Sequence, residues 1–300
     1  MRVEPNTGPL PRSTAASLAA DLWELTKPGI TCMVVVTAAL GFLVGAEGSL
    51  PLPLFLHAML GTGLVSAGAS ALNHLLERET DARMRRTSRR PLPAGRLDPD
   101  QVLLFGVTLA VAGLAVLAFL VELLAALLGA TALAGYVFVY TPLKRRSSLA
   151  TVVGAVPGAI PPMMGWAAVR GELDPGSWVL FGILFLWQLP HFLAIAWLCR
   201  DDYARAGLPM LTVFDRDGTR TARQAVLYCA ALLPVSLLPS ALGLAGAVYF
   251  LGTLILGLAF LGFCLAFARW LSAASARRLL VASVLYLPAL LAIMMIDRFA

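Results

Sequence analysis

Nine stretches of roughly twenty apolar residues, each almost free of charge, constrain this chain more than any other feature. They lie near residues 26–46, 54–76, 102–120, 122–141, 151–169, 177–199, 224–243, 246–268 and 278–297. A bilayer core about 30 Å thick is crossed by roughly 20 residues of helix. An open sheet edge at that depth would leave backbone groups without partners. The sequence therefore reads as an all-α, polytopic membrane helical bundle with nine transmembrane helices. Composition agrees, because only 13% of the 300 residues are charged, against about a quarter in soluble domains. Residues 1–20 are polar and lack the apolar core of a signal peptide. They are expected to be a disordered cytoplasmic tail ahead of a single transmembrane domain over 21–300. Cys32, Cys199, Cys229 and Cys264 form no CxxC pair, so neither a disulfide framework nor a zinc site is indicated.

The basic residues orient the spans. The tail and the loops after runs two, four, six and eight hold every one of the 23 Lys and Arg residues except Arg170 and Arg298. The positive-inside rule makes that side cytoplasmic. It places the N-terminus inside and the C-terminus outside a multi-pass protein of the cell (inner) membrane, which needs an odd number of spans. The charge of +6 is spread over loops between spans, so no nucleic-acid partner is expected. A transporter usually keeps ionisable groups near the bilayer midplane. Here the polar groups crowd the cytoplasmic ends instead.

Two of those ends carry acids. In "NHLLERETDARMRRTSRRPLPAG", Asn73, Glu77 and Asp81 recur every four residues. That spacing keeps them on one helical face, about 6 Å apart per step. Amide and carboxylate oxygens suit Mg²⁺, which takes one or two carboxylates and completes its shell with water and phosphate. The arginines that follow, Arg86 and Arg90 among them, suit phosphate oxygens. The bland alternative is a solvated helix end with salt bridges. The second end is "WQLPHFLAIAWLCRDDYARAGLPML". His191 and Asp202 share a face, with Gln188, if the helix is continuous, while Asp201 is rotated away. Pro190 is placed to kink the segment. The two ends echo each other in outline, which suggests two pseudo-repeated four-helix halves plus a ninth helix. The loop "YTPLKRRSS" adds Lys144, Arg145 and Arg146 to the same side, and "ELTKPGIT" places Lys27 at the entry to the first run. Lys27 is either a membrane flank or a phosphate contact. His74, beside Asn73, points to an adjacent face and is given an accessory role. Together these features describe a site for ionising a polyprenyl diphosphate against an apolar interior.

At these residues the chain resembles the UbiA-type intramembrane prenyltransferases, which have nine helices and two acidic cytoplasmic motifs. The matching stretches are "LTKPGIT", "NHLLERETDARMRRTSRRPL", "YTPLKRR", "GAVPGAIPPMMGW", "LPHFLAIAW" and "DDYARAGLPML", in order over residues 25 to 211. Within that family it is most similar to the branch that farnesylates haem. The resemblance implies transfer of farnesyl from farnesyl diphosphate to a vinyl group of haem B, with addition of water, assisted by Mg²⁺. It implies Asn73, Glu77, Asp81 and Asp202 as catalytic residues, and the same four with Asp201 as metal ligands. It implies Arg86, Arg90, Lys144 and Arg145 for the diphosphate and His191 for haem, by iron ligation or a carboxylate contact. Membrane lipid and haem A synthase or the oxidase assembly machinery complete the expected partners. Two positions depart from the broader family. Glu77 stands where Asp is more usual, and the second motif is reduced to Asp201 and Asp202. The rival readings are a prenyltransferase acting on a quinone precursor or chlorophyllide, and a non-catalytic haem-binding or transport protein.

Overall fold

A computed structural model of the protein describes residues 15–46 and 50–299. Residues 1–14, most of the expected tail, lie outside the described residues. The chain runs through α1 (Ala15–Leu25), α2 (Pro28–Gly45), α3 (Leu52–Asp81), α4 (Pro99–Leu120) and α5 (Leu123–Ala134). A π-helical turn, Gly135–Tyr140, leads from α5 into α6 (Thr141–Leu143). Then follow α7 (Ala150–Ala159), α8 (Pro161–Arg170), α9 (Pro175–Leu198), α10 (Arg200–Arg205), α11 (Leu211–Phe214), α12 (Thr219–Ala241), α13 (Ala247–Trp270) and α14 (Ala273–Phe299). Among the described residues, nine helical segments are long and apolar enough to cross a membrane. They fall on the nine runs of the sequence.

Helix boundaries follow local chemistry. Asp98 caps α4, accepting from Asp100 N at 2.8 Å and completing a capping box with Gln101. Asp174 caps α9 through Gly176 N and Ser177 N at 2.9 and 3.2 Å. The fifth span is split at Ile160 into α7 and α8, where Pro161 and Pro162 supply no amide donors. That span is the most enclosed of the nine, and its α8 half packs closely on α2. A Cβ on Gly165 of α8 would overlap the carbonyl oxygen of Ala38. The α3–α4 pair is equally tight. A Cβ on Gly113 would lie 2.7 Å from Val65 N, the close backbone approach that small residues allow between membrane helices. With the packing of α3 on α2 and α8, these two contacts fix the four helices against one another and hold the C-terminal end of α3 in place.

One expectation is corrected at the N-terminus. Residues 15–20 belong to α1 rather than to an unstructured tail. Leu25 is fully buried against Ala71, Leu92, Leu97 and Val102. Asp21 and Glu24 receive Arg96 at 2.9 and 3.4 Å. The helix is therefore anchored by residues some seventy positions away in the chain, about which its own composition says nothing.

Candidate active site

The lower end of α3 carries a row of acidic and amide groups, each engaged by a different basic residue. Asn73, Glu77 and Asp81 are all buried on one face. Lys27 Nζ donates to Asn73 Oδ1 at 2.7 Å, Lys144 Nζ to Glu77 Oε1 at 2.9 Å, and Arg90 to Asp81 Oδ2 at 2.7 Å. The three bases come from the α1–α2 junction, the loop after α6 and the loop after α3. Asn73 Nδ2 in turn donates to Thr141 Oγ1 at 3.0 Å, which fixes its carbonyl toward Lys27. Three cations face two carboxylates, so the layer holds a surplus of positive charge.

Lys27 is bent into this position. Its backbone is left-handed, with φ 47° and ψ 64°, a conformation that non-glycine residues rarely adopt and that concentrates at functional sites. Burial lowers its pKa from 10.5 to about 8, against the opposing pull of Glu77. Burial works the same way on Lys144, but Tyr140 and Glu77 beside it outweigh that and hold its pKa above the ordinary lysine value. Both ammonium groups also sit over tyrosine rings, Lys27 at 5.9 Å from the Tyr136 centroid and Lys144 at 6.0 Å from that of Tyr140. The two rings stack at 5.4 Å. They come from the π-helical turn, an irregularity that recurs at functional positions. His74 lies beside this layer with both ring nitrogens buried and without a partner.

The second acidic end is arranged differently from the expectation of one continuous helix. Helix α9 stops at Leu198, and Cys199 breaks it with φ −103° and ψ 12°. His191 and Asp202 therefore lie on separate helices and do not share a face. Pro190 is accommodated inside α9 and does not end it. Asp202 pairs with Arg205 and accepts from the backbone amide of Arg85 at 3.4 Å. Asp201 turns outward, its side chain 89% exposed, and among the described residues pairs with Arg200 at 3.9 Å. Arg85, Arg86 and Arg205 line a cleft of about 420 Å³ together with Asp201 and Asp202. Met84 buries itself among Ala196, Tyr203, Leu208 and Met210, which ties the loop after α3 to the second acidic end. That loop thus presents Arg90 to the first row and Arg86 to the second cleft. Arg145 stays on the rim, paired with Glu79 at 3.1 Å.

His191 sits deeper, on α9. Ser283 Oγ donates to Leu280 O at 2.6 Å. Its single hydrogen is thereby committed, so the 2.8 Å contact with His191 Nδ1 is made by an Nδ1–H donor. Trp187 stacks on the imidazole at 5.3 Å and donates to Ser283 O at 2.9 Å. Nε2 keeps its lone pair, with no hydrogen-bond partner among the described residues.

The residues present fit Mg²⁺ on one specific observation. Asp81 Oδ1 is buried and accepts no hydrogen bond, while Oδ2 is held by Arg90. An open oxygen on an oriented carboxylate, flanked by Glu77 and the Asn73 amide, is a hard-donor set of the kind Mg²⁺ takes. Among the described residues no three His, Cys, Asp or Glu side chains converge into a closed metal cage. Asp201 is not brought into the set. Lys27 was left open between two readings in the sequence, and the structure sets it inside the row. Its one local signal was Pro28, which disfavours a helical conformation at the residue before it.

A nine-span helical bundle with an acidic row, paired bases and an apolar interior is the arrangement of an intramembrane prenyltransferase. The UbiA prenyltransferase family profile matches residues 34–291, and the chain belongs to that family. The protoheme IX farnesyltransferase of Solibacter usitatus (strain Ellin6076) is 49% identical over 289 residues, covering 93% of this chain and 98% of that protein. That of Koribacter versatilis (strain Ellin345) is 47% identical and covers 96% of each. Among solved structures, that of digeranylgeranylglyceryl phosphate synthase superposes with a TM-score of 0.78 at 15% identity, over 93% of this chain and 98% of that one. A UbiA homologue from Archaeoglobus fulgidus bound to GPP and Mg²⁺ gives 0.64 at 16% identity, over 92% and 99%. The two structures establish the shared fold.

Proposed function

We propose that this chain transfers the farnesyl group of farnesyl diphosphate to a vinyl group of haem B, with addition of water. The observation that carries the reading is the row of three bases, Lys27, Lys144 and Arg90, held against Asn73, Glu77 and Asp81. Such bases are charged and oriented, and they outnumber the carboxylates they face, so the row has positive charge to offer a phosphate oxygen. Identity near one half with protoheme IX farnesyltransferases supports the choice of acceptor.

Asp81, with Glu77 and Asn73 beside it, would hold Mg²⁺, and the ion would supply neutralising charge for a leaving diphosphate. The chain's own groups do the rest. Lys27, Lys144 and Arg90 take up charge on the leaving oxygens from fixed positions, which costs no reorganisation at the moment of reaction. Arg86 and Arg205 offer a second anion-binding edge beside Asp202, with Asp201 and Arg145 at the rim. The C1–O bond of farnesyl then breaks and leaves an allylic cation. The surrounding apolar helices keep water away until the vinyl carbon has bonded to C1. Water then adds to the resulting cation as hydroxyl and releases a proton. No side chain stands out as its acceptor. His191 is assigned to haem, with Ser283 fixing the tautomer so that Nε2 faces the acceptor with its lone pair. The same end of the bundle is assigned to the cytoplasm because it carries the arginines.

The test is product mass. Purified protein with haem B, deuterated farnesyl diphosphate and Mg²⁺ should yield a haem heavier by one farnesyl group and one water. Label appearing instead on a quinone precursor or on chlorophyllide supplied in parallel would replace haem as the acceptor. Orientation is tested by cysteines placed at Ser88 and Thr219, which should resist an impermeant thiol reagent in intact cells.

A further inference from the structure

Helices α13 and α14 form a hairpin joined by only Leu271 and Ser272. On its outer side lies a groove of about 550 Å³, a volume within the range of small-molecule sites. Ala259, Ala274 and Ala282 leave room along its floor, and Phe263, Val281 and Leu285 form exposed walls. One end of this otherwise apolar groove is closed by Arg277 and Arg278. Both are exposed, as is Arg269 in the last turn of α13. None of the three makes an ion pair among the described residues.

The sequence around them explains why. No Asp or Glu occurs between Asp217 and Asp297. Elsewhere at this end of the bundle Arg90, Arg96, Arg145 and Arg205 are each paired with a carboxylate of this chain. Basic residues needed only to orient a hairpin would not require a preformed apolar groove beneath them. The depth also fits. Arg277 and Arg278 lie four and five residues into α14, about 6 to 8 Å along its axis. That is the level at which a guanidinium on an apolar helix reaches the headgroups. The hairpin tip is at the same end of the bundle as the acidic row. A Cβ on Gly218, in the loop after α11, would lie 2.8 Å from Leu271 and 2.6 Å from Trp197.

We propose that the α13–α14 groove binds one anionic phospholipid, an acyl chain lying along Ala259, Ala282 and Leu285 and the phosphate held by Arg277 and Arg278. Charge complementarity selects this occupant. Lipid is the medium against which the groove opens, two unpaired cations mark its headgroup end, and no carboxylate competes for them. Pockets of this kind between membrane helices hold anionic headgroups. The lipid would brace the last two helices, and through Ser283 on α14 the imidazole of His191.

The experiment is native mass spectrometry of the full chain in detergent, titrated separately with phosphatidylglycerol and phosphatidylcholine of the same chains. The wild-type protein should retain one phosphatidylglycerol in preference to phosphatidylcholine. The double variant Arg277→Gln/Arg278→Gln should lose that preference by roughly thirtyfold, about fivefold for each arginine near a membrane surface. Arg216→Gln, an exposed arginine on another loop of the same end, should keep it. Ala259→Trp fills the groove without touching charge and should weaken retention of both lipids. Equal retention of the two lipids by the wild-type protein would overturn the proposal. So would an unchanged preference in the double variant, a bound haem that the double variant loses, or a dimer that Ala259→Trp dissolves. Each would give the groove to a different occupant or to none.

Discussion

The Glu77–Lys144 pair gives the sharpest energetic prediction. Its atoms are 2.9 Å apart, and the side chains are only 9% and 12% exposed. At an effective dielectric constant near 20, two unit charges at that distance attract by about 6 kcal/mol. Taking both from water offsets most of this, so the pair as a whole is worth little against an apolar replacement of similar size. Breaking it from one side is different. Lys144→Met leaves a buried carboxylate, and Glu77→Met leaves a buried ammonium between Lys27 and Arg90. Each single change should cost about 3–5 kcal/mol. The double Met variant restores neutrality and should lie within about 1–2 kcal/mol of the wild type, a coupling of several kcal/mol in the cycle. Reversible unfolding in mixed detergent micelles reads the free energies, and prenyl transfer is measured on the same samples. The double variant should be folded and inactive. Additive costs for the two single changes would refute the pairing, and an active double variant would refute its part in the chemistry.

Other expectations follow from the same geometry. Lys27, with a pKa near 8, should give kcat/KM for farnesyl diphosphate an alkaline limb near that value, and Lys27→Arg should move the limb upward. Between about pH 8 and 10.5 the unfolded lysine holds a proton that the folded one lacks, so stability measured in the same buffers should rise with pH across that window. Ser283→Ala frees the His191 tautomer and should shift the Soret band of bound haem while weakening haem binding by about 10- to 100-fold, with no change in the KM for farnesyl diphosphate. His191→Ala should produce the same effects, and added Mg²⁺ should rescue neither. Gly165→Ala drives a methyl into the Ala38 carbonyl and should lower unfolding stability by about 1–3 kcal/mol.

The sequence made the spans legible because length and apolarity are local properties, and the nine segments fall where the runs lie. It was less informative about where helices begin. Helices α12 and α14 start at Thr219 and Ala273, about five residues before their apolar runs, because a polar first turn belongs to the helix but not to the hydrocarbon. The face shared by Asn73, Glu77 and Asp81 was legible for a related reason. A four-residue step survives any placement of the helix, provided the helix continues, and α3 does continue to Asp81. The second acidic end failed that proviso at Cys199. Burial was the least visible property. Asp81 stands at a loop boundary, where a wet environment is the natural reading, yet it is 1% exposed because Arg90 and the folded-back loop cover it. Asp81→Ala would strand Arg90 as well as remove a ligand, so Asp81→Asn, which keeps shape and an acceptor, is the cleaner substitution. Lys27 and α1 were obscure because their partners, Asn73 and Arg96, lie far along the chain.

The central claim is that the α3 row drives the departure of diphosphate from a prenyl group that is transferred to a haem acceptor. The direct measurement is pyrophosphate release by purified protein from farnesyl diphosphate, with haem B and Mg²⁺ supplied together or singly, for the wild type and for Asp81→Asn. The account predicts release by the wild type only when both are present. It predicts a rate at least a hundredfold lower for Asp81→Asn, roughly the loss of 3 kcal/mol of transition-state stabilisation, measured at a temperature where the variant is fully folded. Equal release by the two proteins, or release that ignores haem, would contradict it.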